Sequence, residues 1–564
     1  MATAAAALSR VFPLATSQRR YRGFAISHSS CKYECNMLVM SSSIVVLKGR
    51  NKRRHYSCSV SCLSTTVMSP ERSNMLEELS LGIDGRHESP SDDDSELFSQ
   101  LQDLFTEIKL KIKNREMEDV VQLLEANYEL VKEEMENGSK GIEQAAILDV
   151  LALGYFASGD VKTARRILLV MDDIISSINE GGILLDTILY HMGSLFHSLG
   201  KFSDAIRVYE RCLKILEKEC GKGSALLREP LLGLAKALQA KRRPREAIPV
   251  YKRVVDILEK KKGVNSVEVC EPLHSLGNLL LSIGETEDAR LHLQRVLEIH
   301  KESYGEKDGR TGLALCSFAE ALCAKGDMDG AIAMYKKGLE VIKDANDIPL
   351  HDDSVEMARL HLAELLHTSG RLREGREVLQ ESHLINQKRW GIGHPSSVAH
   401  LMNLATSYSR SKNYIEAERL LRTSLNIMSK SLGPANQATT VPMVHLAVIL
   451  FHLKQFEEAE SLALEAWRIR EITFGPESGP VGEALDCLVA IQAVLERDEG
   501  EMLEKLKRVL RIQERLMGRN SEEVAITLHK IVFYLDKLGK NDEKVPYQRR
   551  LSVLTTKLNK KFIF

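Results

Sequence analysis

Leu401-Met402-Asn403-Leu404-Ala405, followed by Tyr414-Ile415-Glu416-Ala417-Glu418 and then by Leu420, Leu421 and Leu425, is the stretch on which the fold turns. Apolar residues recur three and four apart on both sides of the polar break at Lys412, so each side forms one apolar stripe of an α-helix. Ala417, five residues past that break, opens the second run with a side chain small enough to let two helices approach closely. The stretch reads as a helical hairpin.

The same phrase recurs along the chain. Its small residue falls at Val120, Ala164, Ala205, Ala247, Ala289, Ala331, Gly375, Ala417, Ala459, Met502 and Lys544, at spacings of 44, 41, 42, 42, 42, 44, 42, 42, 43 and 42. Gly159, Gly200, Gly284, Gly326 and Gly370 stand where a first helix must stop, and Arg242, Lys412 and Lys454 take that place in other repeats. A lone hairpin cannot bury its apolar side, so successive hairpins must stack, each on the next. The fold class expected is all-α, a solenoid of about ten or eleven hairpins. Hydrophobics at 44%, charges at 27% and aromatics at only 5% suit Leu- and Ala-rich helices.

Residues 1–62 differ in kind. They hold ten Lys or Arg against the single acid Glu34, a balance of +9, so the formal charge of −1 leaves −10 for the rest. A mildly acidic remainder makes nucleic acid an unlikely partner, since phosphate binding draws on excess Lys and Arg. The alanine-led, Ser- and Arg-rich opening is that of an organellar transit peptide, and Val60-Ser61-Cys62 resembles the pattern before chloroplast processing sites. The domain reading is a chloroplast transit peptide over 1–62, a disordered acidic linker over 63–95, degenerate leading hairpins over 96–184, the repeat array over 185–544 and a capping helix over 545–564. No apolar run is long enough to span a bilayer, which needs about 20 residues. Peripheral attachment to the thylakoid surface stays open. The six cysteines beyond Cys62 contain no CxxC pair and are expected as reduced thiols.

These marks resemble the tetratricopeptide repeat, a helix hairpin with small residues at its contacts and a period of about 34. The longer period here, with Leu432-Gly433-Pro434, Phe456-Glu457-Glu458-Ala459-Glu460 and Phe474-Gly475-Pro476, is similar to the repeats of kinesin light chains over most of residues 185–540. The resemblance implies a right-handed superhelix whose concave side is lined by first helices and holds protein partners or extended peptides. Counted from the small residue of each first helix, the position two before reads His191, Gly233, Ser275, Ser317, His361, Asn403 and His445. In kinesin light chains the corresponding place is often Asn and holds a cargo peptide's backbone, and here only Asn403 keeps it. The position one after reads Ser194, Lys236, Asn278, Glu320, Glu364, Thr406 and Val448. The chaperone-binding type of the repeat grips a C-terminal carboxylate with Lys and Asn at set places. Glu320 in the repeat after Asn278 would repel that carboxylate. The expected partner contacts are His191, Ser194, Lys236, Ser275, Asn278, Ser317, His361, Asn403 and His445.

The sequence lacks the Gly loop of a phosphate site, the GxSxG elbow and the HExxH zinc motif, so neither catalytic residues nor a metal or cofactor is expected. His191, His361 and His445 lie on separate helices and cannot share an ion. Lys241-Arg242-Arg243-Pro244-Arg245 and Lys260-Lys261-Lys262 are basic clusters without interleaved aromatics, read as solvated loop charge. Three functions follow in order: a chloroplast scaffold that collects or regulates a protein complex, a cytosolic kinesin-light-chain-like cargo adaptor, and an organelle RNA-binding repeat protein. Residues 1–95 show no heptad segment for a motor heavy chain. RNA-reading helical repeats have a period near 35 rather than 42.

Overall fold

The computed structural model describes residues 92–561 except 115 and 179–183. The expected transit peptide and most of the linker therefore lie outside the described residues. Among the described residues there are 22 α-helices and no strand. In chain order the first ten are α1 (Asp92–Lys113), α2 (Met117–Glu136), α3 (Ile142–Ser158), α4 (Val161–Ser177), α5 (Leu185–Ser198), α6 (Phe202–Cys220), α7 (Arg228–Ala240), α8 (Pro244–Lys262), α9 (Cys270–Ile283) and α10 (Thr286–Tyr304). Next come α11 (Gly309–Lys325), α12 (Met328–Ala345), α13 (Asp353–Thr368), α14 (Leu372–Trp390), α15 (Ser397–Arg410) and α16 (Tyr414–Leu432). The chain ends with α17 (Thr440–His452), α18 (Phe456–Phe474), α19 (Gly479–Val494), α20 (Glu499–Met517), α21 (Glu522–Lys537) and α22 (Asn541–Lys561). Odd and even helices pair as hairpins, eleven in all.

The hairpins fall into two compact units. The N-terminal unit comprises the described residues up to Glu306 together with Ser317–Lys325, and the C-terminal unit comprises Lys307–Cys316 and the described residues from Gly326 onward. Within each, second helices also pack on the first helix of the next hairpin, for example α6 on α7 and α16 on α17. First helices of neighbouring hairpins also touch directly, α3 with α5 and α5 with α7 in one unit and α17 with α19 in the other. Second helices approach one another mainly through long side chains, so the first helices form the tighter layer.

The small-residue ladder sits where the sequence expects it. Val120, Ala164, Ala205, Ala247, Ala289, Ala331, Ala417 and Ala459 are wholly buried, Gly375 is buried, and Met502 is nearly so. Lys544 departs from the pattern: it is half-buried and lies in the first turn of α22. That helix runs unbroken over Asn541–Lys561, so the closing segment expected from 545 is the second helix of the last hairpin. Its apolar side is completed by Leu554, which joins the core of Leu503, Leu506, Leu528, Ile531 and Leu535. In the C-terminal unit one core continues through several hairpins, from Ala363 to Ile491.

The first helices stop as foreseen, and the substitutes for glycine are strained. Arg242, Lys412 and Lys454 hold left-handed backbone with φ of 62°, 59° and 65°, which costs a residue with a Cβ about 1–2 kcal/mol. Lys412→Gly is expected to stabilise the fold by up to about 1 kcal/mol, the gain being reduced by the freer unfolded chain. Thermal unfolding checks this. Ala331→Leu, at a wholly buried ladder site, should cost about 1–3 kcal/mol by overpacking in the same assay.

Candidate partner-binding site

The residues expected on the inner face divide into two groups. Three residues separate the two rows along each first helix, about 300° of turn, so the rows lie about 60° apart on its surface. One row faces the neighbouring hairpin and the other faces outward.

The row two before the small residue forms the seam between hairpins. His191 on α5 is 1% exposed, and its Nδ1 stands 2.6 Å from Asp149 Oδ2 on α3. Ser317 on α11 meets His274 Nε2 of α9 at 3.0 Å. Ser275 hydrogen-bonds Tyr251 of the preceding second helix, and His361 Nδ1 lies 3.4 Å from the hydroxyl of Tyr335 on α12. At Gly233 an added Cβ would lie 2.4 Å from the ring of Tyr209, and Gly193 meets the same ring at 2.6 Å. Asn403 is half-buried and His445 is buried. Two of the expected contacts are thus corrected: His191 and His445 are enclosed by neighbouring hairpins and present no open surface. The reason is geometric, because this side of a first helix leans on the preceding hairpin.

The row one after the small residue is exposed or half-buried except at Thr406, which is buried. Lys236 is exposed, and its Nζ reaches Glu271 Oε1 of α9 at 3.1 Å, while Arg228 takes the other oxygen at 3.1 Å. Asn278 is half-buried; its Nδ2 is 3.5 Å from His274 Nε2, and its Oδ1 has no hydrogen-bond partner. Ser194 binds Tyr209. In the C-terminal unit Glu364 of α13 pairs with Arg410 of α15 at 3.0 Å, and the Thr406 hydroxyl donates to Met402 O of its own helix at 2.9 Å. A chain lying along this layer would meet, in the N-terminal unit, a lysine, an amide and the half-buried Glu320. The Lys–Asn–Glu order, with Glu271 already on Lys236, opposes capture of a free carboxylate.

Titration at the seam is governed by burial. Desolvation pushes the Asp149 carboxyl up despite His191 beside it. It pushes His274 down, and it lowers His367 to about 4, helped by the charges of Arg410 and Arg376. His367 Nε2 meets the Ser407 hydroxyl at 3.0 Å. Its ring occupies the space where a Cβ on Gly375 would stand, 2.6 Å away, which explains glycine in place of alanine on the ladder.

A further set of residues escaped the sequence reading. Six positions beyond the ladder residue an arginine recurs, and it reaches back to the end of the preceding second helix. Arg253 pairs with Glu217 at 2.6 Å and donates to Lys222 O, Arg295 pairs with Glu259 at 2.6 Å and donates to Val264 O, and Arg211 donates to Ile175 O and Ile178 O. Arg508 with Glu471 and Arg550 with Glu514 repeat the clamp in the C-terminal unit. The signal was present: Arg and Glu recur 36 or 37 residues apart. Among the basic clusters, Arg243 is neutralised by Glu246, Lys260 by Asp256 and Lys262 by Glu268.

A family model described as tetratricopeptide repeat matches residues 184–260, 268–344, 354–430 and 397–472. These stretches are tetratricopeptide repeats. The tetratricopeptide region covers hairpins α5–α6 to α17–α18, and the helices before and after it repeat the hairpin pattern outside the matched stretches. No curated protein matches the sequence significantly. Among solved structures the chain is similar to the nearly identical TPR-like repeats of a kinesin light chain homologue from Podospora anserina, at 21% identity over 37% of this chain and 98% of that one, with a TM-score of 0.34. It is also similar to BtubC (BKLC) from P. vanneervenii, at 20% identity over 42% and 92%, with a TM-score of 0.34. A third is a STAND-type ATPase with a tetratricopeptide repeat sensor from Pyrococcus horikoshii, at 18% identity over 71% and 57%, with a TM-score of 0.42.

The seam makes stability depend on acid in a calculable direction. His367 has a folded pKa of about 4 against an unfolded value of 6.5, so the unfolded chain binds the extra proton between those values. Its contribution is complete above pH 6.5 and fades as pH falls toward 4, by on the order of 3 kcal/mol. Denaturant unfolding at pH 7.5, 6, 5 and 4 should show this fall, and His367→Gln should flatten it. Gly233→Ala, which forces a methyl into Tyr209, should lower stability by about 1–3 kcal/mol despite the better helix propensity of alanine.

Proposed function

We propose that this protein is a non-enzymatic scaffold of the chloroplast whose first-helix layer holds an extended segment of a partner protein. The observation that carries the reading is the outward row at one-repeat spacing, in which Lys236 is exposed and Asn278, Glu320 and Glu364 are half-buried. First helices about 10 Å apart and an extended chain rising about 3.3 Å per residue bring roughly every third residue of a bound peptide opposite a row residue. Polar side chains at that pitch bind backbone amides without demanding one sequence. Lys236 and Asn278 of the outward row serve this role in the N-terminal unit and Glu364 in the C-terminal one, flanked by the half-buried Ser275, Ser317, His361 and Asn403 of the seam row. Their ion pairs with neighbours make binding salt-sensitive.

The compartment rests on residues 1–62, whose basic, Ser- and Ala-rich composition supports plastid import. A fluorescent fusion of residues 1–70 should enter plastids, and a cytosolic signal would favour the cargo-adaptor reading. Affinity capture from plastid extract with the full chain should return a stable partner that Asn278→Leu loses about fivefold or more, with helix content unchanged. Equal capture by wild type and Asn278→Leu would remove the first-helix row from the reading.

A further inference from the structure

One edge of the C-terminal unit carries apolar side chains that the fold leaves uncovered. The pairs Lys336–Glu374 and Lys343–Glu381 share a 38-residue offset, so α12 and α14 run the same way. The alternation of hairpins carries that direction on through α16, α18 and α20. Their carboxyl ends and the loops after them therefore lie along one edge. Ile392 there is 92% exposed and Ile472 is 86% exposed, with Trp390, Phe474 and Met517 about half exposed. Ile392 stands between Gly391 and Gly393, whose φ values of 88° and 85° turn the backbone so that the side chain points away from the helices. On the opposite edge, where second helices begin, Ile415 is the comparable exposed residue among α12 to α20.

Around the ends of α14 and α16 the charge of this edge is positive. Lys388 and Lys430 are exposed and have no ion-pair partner among the described residues. Arg389 lies over the Trp390 ring at 4.6 Å, and His394 stacks on the ring at 5.0 Å. Of the acids near Ile472, Glu471 is held by Arg508 and Glu477 by Arg511 at 3.8 Å. The end of α12 and the loop after it, with Asp344, Asp347, Asp352 and Asp353, are acidic and lie outside the basic stretch.

We propose that this edge docks on an anionic lipid surface, with Trp390, Ile392, Ile472, Phe474 and Met517 entering the interfacial layer and Lys388, Arg389 and Lys430 facing the headgroups. Ile392 and Ile472 lie two hairpins apart, roughly 20 Å, and each projects singly. A protein partner would need a pocket for each at matched spacing, whereas a fluid interface accepts each on its own. Tryptophan beside basic side chains suits the boundary between headgroup and acyl chain. No helix among the described residues is long and apolar enough to cross a membrane. The attachment is therefore interfacial, and it is independent of the first-helix row.

The test is co-sedimentation of the full chain with vesicles of phosphatidylcholine alone or with about one third phosphatidylglycerol. Binding is expected only to the anionic vesicles and should weaken with salt. Ile392→Ser with Ile472→Ser, and separately Lys388→Ser with Arg389→Ser and Lys430→Ser, should each lower the bound fraction about tenfold, while Ile415→Ser changes nothing. The chain has two tryptophans, Trp390 and Trp467. In Trp467→Phe, emission from Trp390 should shift to shorter wavelength with the anionic vesicles. Absence of vesicle binding, binding retained by both edge variants, an unmoved Trp390 emission, or capture of an acidic protein through this edge in place of vesicles would each overturn the proposal.

Discussion

Two helices joined as a hairpin leave the far side of each in water, and nothing in one hairpin of this chain can cover it. The structure depends on the way the next hairpin removes that surface. Closeness is set by the ladder, where alanine methyls are wholly buried between helices. Backbones come into contact where α11 meets α12. An added Cβ at Gly312 would stand 2.7 Å from Gly338 O, and one at Gly338 would stand 2.6 Å from Gly312 O. Backbone meets backbone there, so no larger residue fits, and dispersion contacts compound along the helix.

The hairpins were legible because a period near 42 in small residues has one physical cause, close helix packing repeated along a stack. The direction of each polar residue was less legible. A helical period sorts residues into faces of one helix, but whether a face is open depends on the neighbouring side chain. His191 reads as an inner-face donor until Asp149, 42 residues earlier, is placed against it. Ser317 and His274 are separated by 43 residues and show the same thing. Polar residues one period apart are therefore as much a sign of a seam as of a binding row. The arginine clamps carry the same lesson, since Arg253 and Glu217 look like ordinary surface charge on separate helices.

Lys544 shows where the pattern gives way for good reason. Its ladder place in α22 is half-buried rather than enclosed, so a long side chain fits there. Leu554, a few turns on, supplies the apolar contact instead. The strained turns at Arg242, Lys412 and Lys454 are another departure, in which local backbone energy is spent while the stack keeps its geometry.

A seam built from buried polar groups costs more than one built from leucine. His191 Nε2 and Asp149 Oδ1 have no partner, and such atoms lose hydration without recovering it. Their geometry nevertheless fixes what apolar contact leaves loose, because greasy surfaces slide and a 2.6 Å hydrogen bond does not. A slip of one helical turn, about 5.4 Å, would break Asp149–His191 and His274–Ser317 together in the N-terminal unit and Tyr335–His361 in the C-terminal one. Register fixed in this way also fixes the pitch of the outward row, since Asn278 is four residues from His274 on one helix and His274 is held by the next. The polar seam is therefore the device that makes a row of outward groups repeat at a constant distance, and constant distance is what a regularly repeating peptide backbone can use.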